Sequence, residues 1–368
     1  MGGKHTIDYE ENEVPKAFRK NSEKKPKKKK KKGLKIFLAV ILIIIIILAT
    51  ICGGTYWYIN DKLNKMQTVN IDESQLGITE EANKNLSGYR NIAIFGVDSR
   101  SDNYGKGNRS DCIIIASINN LTKEVKLISV YRDTYVQIDG HGLDKITHAY
   151  SYGEAPLAIK TLNTNLDLNI SEFVTVNFDS VSDAVDTLGG VTINIESQEE
   201  LKYLNSYIDE TAKVTGKSNK KVSNIGKQNL NGVQAVAYSR IRYTAGGDYK
   251  RTERMRTVIE AMANKLKTKN IGEINNFADQ ILPKVYTNIS AATIMSMIPD
   301  MVSYKISNSI GWPYETKGIT LDRWYGVPVT LESNVTKLHK DVFNDNDYVV
   351  PESIKTTSNT IIKKTGYK

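Results

Sequence analysis

Cysteine is almost missing from this 368-residue chain, which has only Cys52 and Cys112, and histidine is scarce at four residues. Cys52 falls in a long apolar run and Cys112 opens a strand-like one, so the two are not expected to meet. A disulfide framework is therefore excluded as the source of stability. With no Cys/His ligand spacing, zinc chemistry is excluded as well, and any metal must be held by oxygen. Arginine is also sparse: ten follow residue 35, in a chain that otherwise takes its positive charge from lysine. No internal repeat is evident.

The net charge of +9 has the sign of a nucleic-acid binder, but residues 1–35 carry thirteen Lys/Arg against five Asp/Glu, leaving only +1 for the rest. The surplus lies in K-K-P-K-K-K-K-K-K from Lys24, just before an uncharged run from Ile36 to Cys52 that continues to Tyr56-Trp57-Tyr58. That length spans about 30 Å of hydrocarbon. Lysines before the span hold the N-terminus in the cytoplasm, and the aromatics suit the outer interface. A cleaved signal peptide fits poorly, because no A-x-A site closes the run. A lipoprotein anchor fits poorly because Ile51 precedes Cys52. A polybasic stretch beside a membrane has its use on anionic lipid, so a membrane partner is expected and nucleic acid is not.

The expected organisation is a cytoplasmic polybasic tail (1–33), a transmembrane anchor (34–58) and an extracellular stalk (59–89). An extracellular globular domain (90–350) and a polar C-terminal tail (351–368) follow. The domain opens with strands at Ile92–Val97, Cys112–Ile118 and Val125–Tyr131. As an antiparallel meander, these bring Asp98, Asp111, Arg132 and Asp133 to one sheet edge. Two carboxylates there repel unless a cation lies between them, and Mg²⁺ takes one or two carboxylates plus phosphate oxygens. Aspartates in loops also serve as turn formers and caps, which is the competing reading. Ala155, Ala158, Ile159, Leu162 and Leu166 form a helical stripe, while His148 at its entrance reads as a packed core residue ahead of a general base. Further strands at Phe173–Phe178 and Val191–Ile195, alternating with helices, imply an α/β or α+β domain with a mixed central sheet.

Half of the ten arginines crowd into Y-S-R-I-R-Y-T-A-G-G-D-Y-K-R-T-E-R-M-R, from Tyr238 to Arg256. Arginine presents a planar fork that grips phosphate or carboxylate, whereas lysine is a hydrated point charge. Met255, Val258, Ile259, Met262 and Leu266 recur at helical spacing, so a helix is expected to begin near Asp248 as N-cap. Lys250, Arg251 and Arg254 then oppose the helix dipole by roughly 0.3–1 kcal/mol each, unless an anion is bound there. If the chain is extended at Arg240 and Arg242, both face one side.

The blocks G-V-D-S-R (96–100), R-S-D (109–111), S-V-Y-R-D (129–133), K-I-T-H-A-Y (145–150), D-T-L-G-G-V (186–191), L-N-G (230–232), Y-S-R-I-R (238–242) and G-D-Y-K-R-T-E-R (247–254) occur in order. Over about residues 90–265 the chain resembles a LytR-CpsA-Psr protein. The resemblance implies a membrane-anchored phosphotransferase that moves a glycopolymer from a polyprenyl pyrophosphate carrier to peptidoglycan through a phosphodiester. It also implies an α/β core of α-β-α type with an apolar lipid groove. Asp98 and Asp111 would hold Mg²⁺ or Mn²⁺, and Arg109, Arg132, Arg240, Arg242 and Arg251 would grip the pyrophosphate with Arg254 nearby. Asp133 is the first choice of base and Asp248 the alternative. Three residues depart from the family pattern: Tyr131 where proline is usual, Lys250 where glycine is common and Met255 where glutamine is frequent. A lipid pyrophosphate phosphatase and a non-enzymatic regulator of wall assembly are the competing functions.

Overall fold

Consecutive residues of one long apolar strand enter opposite cores, and the rest of the molecule is arranged about it. The computed structural model describes residue 54 and residues 57–58, 60–61, 63–99, 104–218, 220–297 and 300–368. The polybasic tail and the run Ile36–Cys52 lie outside these residues, and among the described residues no helix is long and apolar enough to cross a membrane. Trp57–Lys368 forms one unit.

The first elements are β1 (Gln67–Thr68), α1 (Glu80–Asn85), β2 (Tyr89–Val97), β3 (Ser110–Asn119), β4 (Glu124–Val130), β5 (Tyr135–Ile138), β6 (Gly142–Lys145) and α2 (Ile146–Leu166). The middle of the chain forms β7 (Glu172–Asn177), α3 (Phe178–Thr187), β8 (Val191–Ile195), α4 (Gln198–Thr215), β9 (Gly226–Leu230), α5 (Gly232–Arg240), α6 (Gly247–Leu266) and α7 (Ile271–Ile281). It closes with β10 (Tyr286–Thr287), α8 (Ala291–Met297), β11 (Lys305–Trp312), β12 (Thr316–Thr320), β13 (Trp324–Pro328), α9 (Leu331–Phe343) and α10 (Glu352–Thr365).

The central sheet is mixed, in the order β1-β10-β7-β2-β3-β4-β11. The meander β2-β3-β4 is antiparallel as expected, while β7 joins β2 and β11 joins β4 in parallel. On β3, Ile113 and Ile115 enter a core with Ala93, Phe95 and Val97, whereas Cys112, Ile114 and Ala116 enter the opposite one with Ile92. This is the period-two alternation of a strand covered on both faces. Helices α2, α9 and α10 close the first core through Ile159, Leu162, Val335, Leu338, Ile354 and Ile361. On the other face Met255 of α6 packs on the sheet. A third core gathers α3 to α6 about the separate antiparallel β8-β9 pair through Val185, Ile193, Leu204, Val233 and Val258.

Two expected boundaries do not survive. Residues 63–86 are not a stalk, because Leu63, Met66, Leu76, Ala82 and Leu86 are buried and β1 pairs with β10 in the main sheet. Each fully buried leucine contributes about 1.5–3 kcal/mol, so this segment belongs to the domain. Nor is 351–368 a tail: α10 buries Ile354, Ser358 and Ile361, one face of a helix at i, i+4 and i+7.

Candidate active site

The site is built on an irregularity. The β2-β3 ladder pairs Gly96 with Cys112 and then Val97 with Ser110, so Asp111 is left without a cross-strand partner. Such a bulge re-aims one side chain out of the sheet's alternation. Glycine is needed beside it, since a Cβ on Gly96 would lie 2.8 Å from that of Cys112. From the end of β4, Arg132 donates from Nη1 to Asp111 Oδ1 at 2.5 Å. Asp133 follows, 2.7 Å from Lys145 Nζ and 3.6 Å from Arg132 Nε.

The opposite wall is the start of α6. Its N-cap is Gly246, with φ of 91° and no side-chain cap, and Asp248 lies in the first turn, so Asp248 is not the expected N-cap. Asp248 instead pairs with Arg251, whose Nη2 lies 2.9 Å from Oδ1. Arg242 sits between the walls, 3.9 Å from both Asp111 and Asp248. Burial pushes the Asp248 carboxyl upward, helped by Asp133 and resisted by Arg251 and Arg242. Burial also pulls the Arg251 guanidinium down. Arg251 is 1% exposed, yet its Nε and that of Arg132 are buried without a hydrogen-bond acceptor among the described residues. A buried guanidinium N–H left unpaired costs about 1–3 kcal/mol, which an anion entering between them would relieve.

Asp98 is exposed just past β2, and Arg109, also exposed, immediately precedes β3, whose second residue is Asp111. No group of three or more His, Cys, Asp or Glu side chains suited to a metal occurs among the described residues. Asp98 and Asp111 are two hard oxygen donors. They fit a Mg²⁺ that completes its shell with water and phosphate oxygens, and they do not fit a closed protein cage.

An apolar cavity of about 190 Å³ adjoins this cluster, lined by Ile94, Cys112, Val174, Val181, Met255 and Phe277 among others. Met255 stands one helical turn beyond Arg251, and Cys112 follows Asp111, so the cavity and the arginines share two walls. Burial lifts the Cys112 thiol to about 12, which keeps it unreactive beside the cavity.

The family model matching residues 54–322 is that of the LytR_cpsA_psr family. The chain belongs to this family. It is 32% identical to the Enterococcus faecalis polyisoprenyl-teichoic acid–peptidoglycan teichoic acid transferase TagU, over 64% of this chain and 70% of that protein. It is 31% identical to the Bacillus subtilis transferase TagT, over 62% and 70%. Among solved structures, TagT bound to LIIa-WTA is 27% identical with a TM-score of 0.57, covering 71% of this chain and 92% of that one. TagT (YwtF) with bound octaprenyl pyrophosphate lipid is 25% identical with a TM-score of 0.52, covering 70% and 92%.

Within this LytR_cpsA_psr domain not every expected arginine faces the bulge. Arg240 ends α5 in helical conformation, not the extended one expected. It donates to Glu210 at 2.7 Å and Thr211 at 3.2 Å, above the Phe178 and Tyr207 rings. Arg254 is wholly engaged within the protein, donating to Glu200 at 2.8 Å, Ile241 O and Thr244. Arg256 braces the sheet through Ser129 and Ile310 O. Tyr131 packs its ring on Tyr249, Lys250 pairs with Glu253, and Met255 faces the cavity. His148 is buried and bonded to Asp144 at 2.8 Å, the structural role expected of it. Lys145 and Glu200 were not singled out by sequence. A lysine partner for Asp133 and a buried glutamate for Arg254 carry no local pattern that reveals them.

Proposed function

We propose that this protein is a membrane-anchored phosphotransferase that moves a teichoic-acid-like glycopolymer from a polyprenyl pyrophosphate carrier to peptidoglycan, outside the membrane. The observation that carries it is the pair of buried, acceptor-less Nε donors of Arg132 and Arg251 beside an apolar cavity, which suits a pyrophosphate on a lipid tail. The names of the teichoic acid transferases it resembles point the same way.

A hydroxyl oxygen of the acceptor sugar attacks the phosphorus that bears the glycopolymer. Its bond to the bridging oxygen breaks, polyprenyl phosphate leaves with that electron pair, and the hydroxyl proton passes to a carboxylate. Both carboxylates have cationic partners, Asp133 in Lys145 and Asp248 in Arg251, but Asp248 suits the base better because burial favours proton uptake there against the pull of Arg251 and Arg242. Arg132, Arg242 and Arg251 neutralise the phosphates and orient them, which is most of what phosphoryl transfer asks of a protein. Mg²⁺, or Mn²⁺, held by Asp98 and Asp111 would supply further charge neutralisation.

The test uses full-length protein in detergent with a polyprenyl-pyrophosphate-linked glycopolymer and a soluble glycan acceptor. A phosphodiester-linked product supports the transferase. Release of free glycopolymer phosphate, unchanged by added glycan, identifies a phosphatase. If function in cells is lost on deleting 1–33 with the span kept, while purified protein is inert, the regulator reading holds instead.

A further inference from the structure

The C-terminal hairpin β12-β13 lies beside the reacting groups, and the carrier-binding side of the site makes no use of it. Gly326 N donates to Asp133 O at 2.9 Å, and Thr134 bridges Gly326, which fixes the hairpin against the end of β4. Tyr249 of α6 ties to Thr316 of β12 at 2.7 Å. Trp324, Tyr249, Thr316, Asp133 and Asp248 consequently line one small cleft. Across the hairpin Gly318 pairs with Gly326. A Cβ on Gly318 would lie 2.9 Å from Trp324 Nε1, and one on Gly326 would lie 3.6 Å from Trp324 Cη2. The indole, from Nε1 to Cη2, therefore lies against a pair of glycines whose missing Cβ atoms make room for it. The side chain nevertheless remains 43% exposed, although tryptophan is a residue that burial strongly favours.

We propose that Trp324 is the acceptor platform: the pyranose ring carrying the attacking hydroxyl stacks on the exposed indole, with that hydroxyl directed to Asp248. This rests on the phosphotransferase reading above. The C–H face of a pyranose is weakly positive and the indole face negative, so the two stack, while carboxylates accept from sugar hydroxyls. An uncharged glycan needs a platform of this kind, because the arginines that grip the carrier's phosphates offer it nothing. Trp324 is a specificity-determining residue here, and the glycine pair positions it.

The experiment measures transfer from the polyprenyl-pyrophosphate-linked glycopolymer to chitohexaose, a neutral N-acetylglucosamine oligomer, together with donor cleavage in the absence of glycan. Trp324→Ala is expected to raise KM for chitohexaose about tenfold, with kcat at saturation and glycan-free donor cleavage unchanged, and Trp324→Phe to keep most of the affinity. An unchanged KM in Trp324→Ala overturns the proposal, as does parallel loss of donor cleavage and melting temperature, which marks a purely structural indole. If the wild type transfers to no glycan, the phosphotransferase reading fails on its own account. Chitohexaose-induced quenching of tryptophan fluorescence, present in wild type and absent in Trp324→Phe, then still supports the platform, and its absence in wild type overturns it.

Discussion

Arg132 Nη1 lies 2.5 Å from Oδ1 of Asp111, the one residue the β2-β3 bulge leaves without a cross-strand partner. The carboxylate holds one end of the guanidinium, while Nε is buried with Asp133 at 3.6 Å and no hydrogen-bond acceptor among the described residues, and Arg251 Nε likewise has no acceptor there. A fork held open in this way is arranged for a tetrahedral oxyanion. Inorganic pyrophosphate at 100 times its Kd should accordingly stabilise the domain by about 2.7 kcal/mol, seen as a rise in melting temperature. Arg132→Lys and Arg251→Lys keep the charge and lose the fork. They are expected to abolish most of that rise and to lower turnover at least about tenfold, on the order of 1.4 kcal/mol. An undiminished thermal shift in both variants returns the cluster to an ordinary basic surface.

The carboxyl of Asp248 titrates above its usual value of 3.8 because it is buried, with Asp133 adding to the rise and Arg251, Arg242 and Arg132 opposing it. A base must be ionised, so the acid limb of the transfer rate should lie above the ordinary aspartate range. For folding the sign is opposite. A raised folded pKa favours the neutral carboxyl, so its contribution is full below the unfolded value and is lost as pH rises through the folded one. Asp248→Asn should lower transfer by about 10²-fold or more and remove that limb from the pH–rate profile. In Asp133→Asn the limb should remain but move to lower pH, because the Asp133 charge that adds to the rise is gone. Loss of the limb in the Asp133 variant alone reassigns the base.

The meander was legible because three apolar-rich runs are separated by turn-rich or short polar connections, and antiparallel order alone carries Asp111, Arg132 and Asp133 to one edge. The bulge was not legible, since nothing in R-S-D says that one residue will fall out of register. Of the five-arginine run, Arg242 and Arg251 contact Asp111 or Asp248, and the sequence did not reveal which of the five would do so. Arg251 and Arg254 are three residues apart on one helix, yet Arg254 is claimed by Glu200 on α4, a contact fixed by helix packing across 54 residues. The packed segments 63–86 and 352–365 read as polar because their buried residues are few and widely spaced, and the strands and helices that receive them come from elsewhere in the chain.

Arg254 and Glu200 are each about 3% exposed, a buried ion pair with further bonds to Ile241 O and Thr244. Breaking one side leaves an uncompensated buried charge, so Arg254→Met should cost about 3–5 kcal/mol in urea unfolding, and Glu200→Gln in the same chain should recover much of it. A substrate ligand would behave otherwise. Turnover lost at unchanged stability would restore Arg254 to the pyrophosphate site.

The metal expectation is tested at Asp98 better than at Asp111, because Asp111 also holds Arg132 and its loss would mix two effects. Asp98 is exposed past the end of β2, so Asp98→Asn should leave the urea midpoint unchanged. With only two protein carboxylates on offer, the site must bind Mg²⁺ weakly until the substrate's phosphates add their oxygens. Chelation with EDTA should then stop transfer, and added Mg²⁺ should restore it. The Mg²⁺ concentration for half-maximal rate is expected to rise about tenfold in Asp98→Asn, while the rate at saturating Mg²⁺ largely returns. Full activity after chelation would leave the three arginines as the whole of the charge neutralisation, and Asp98 as a turn residue.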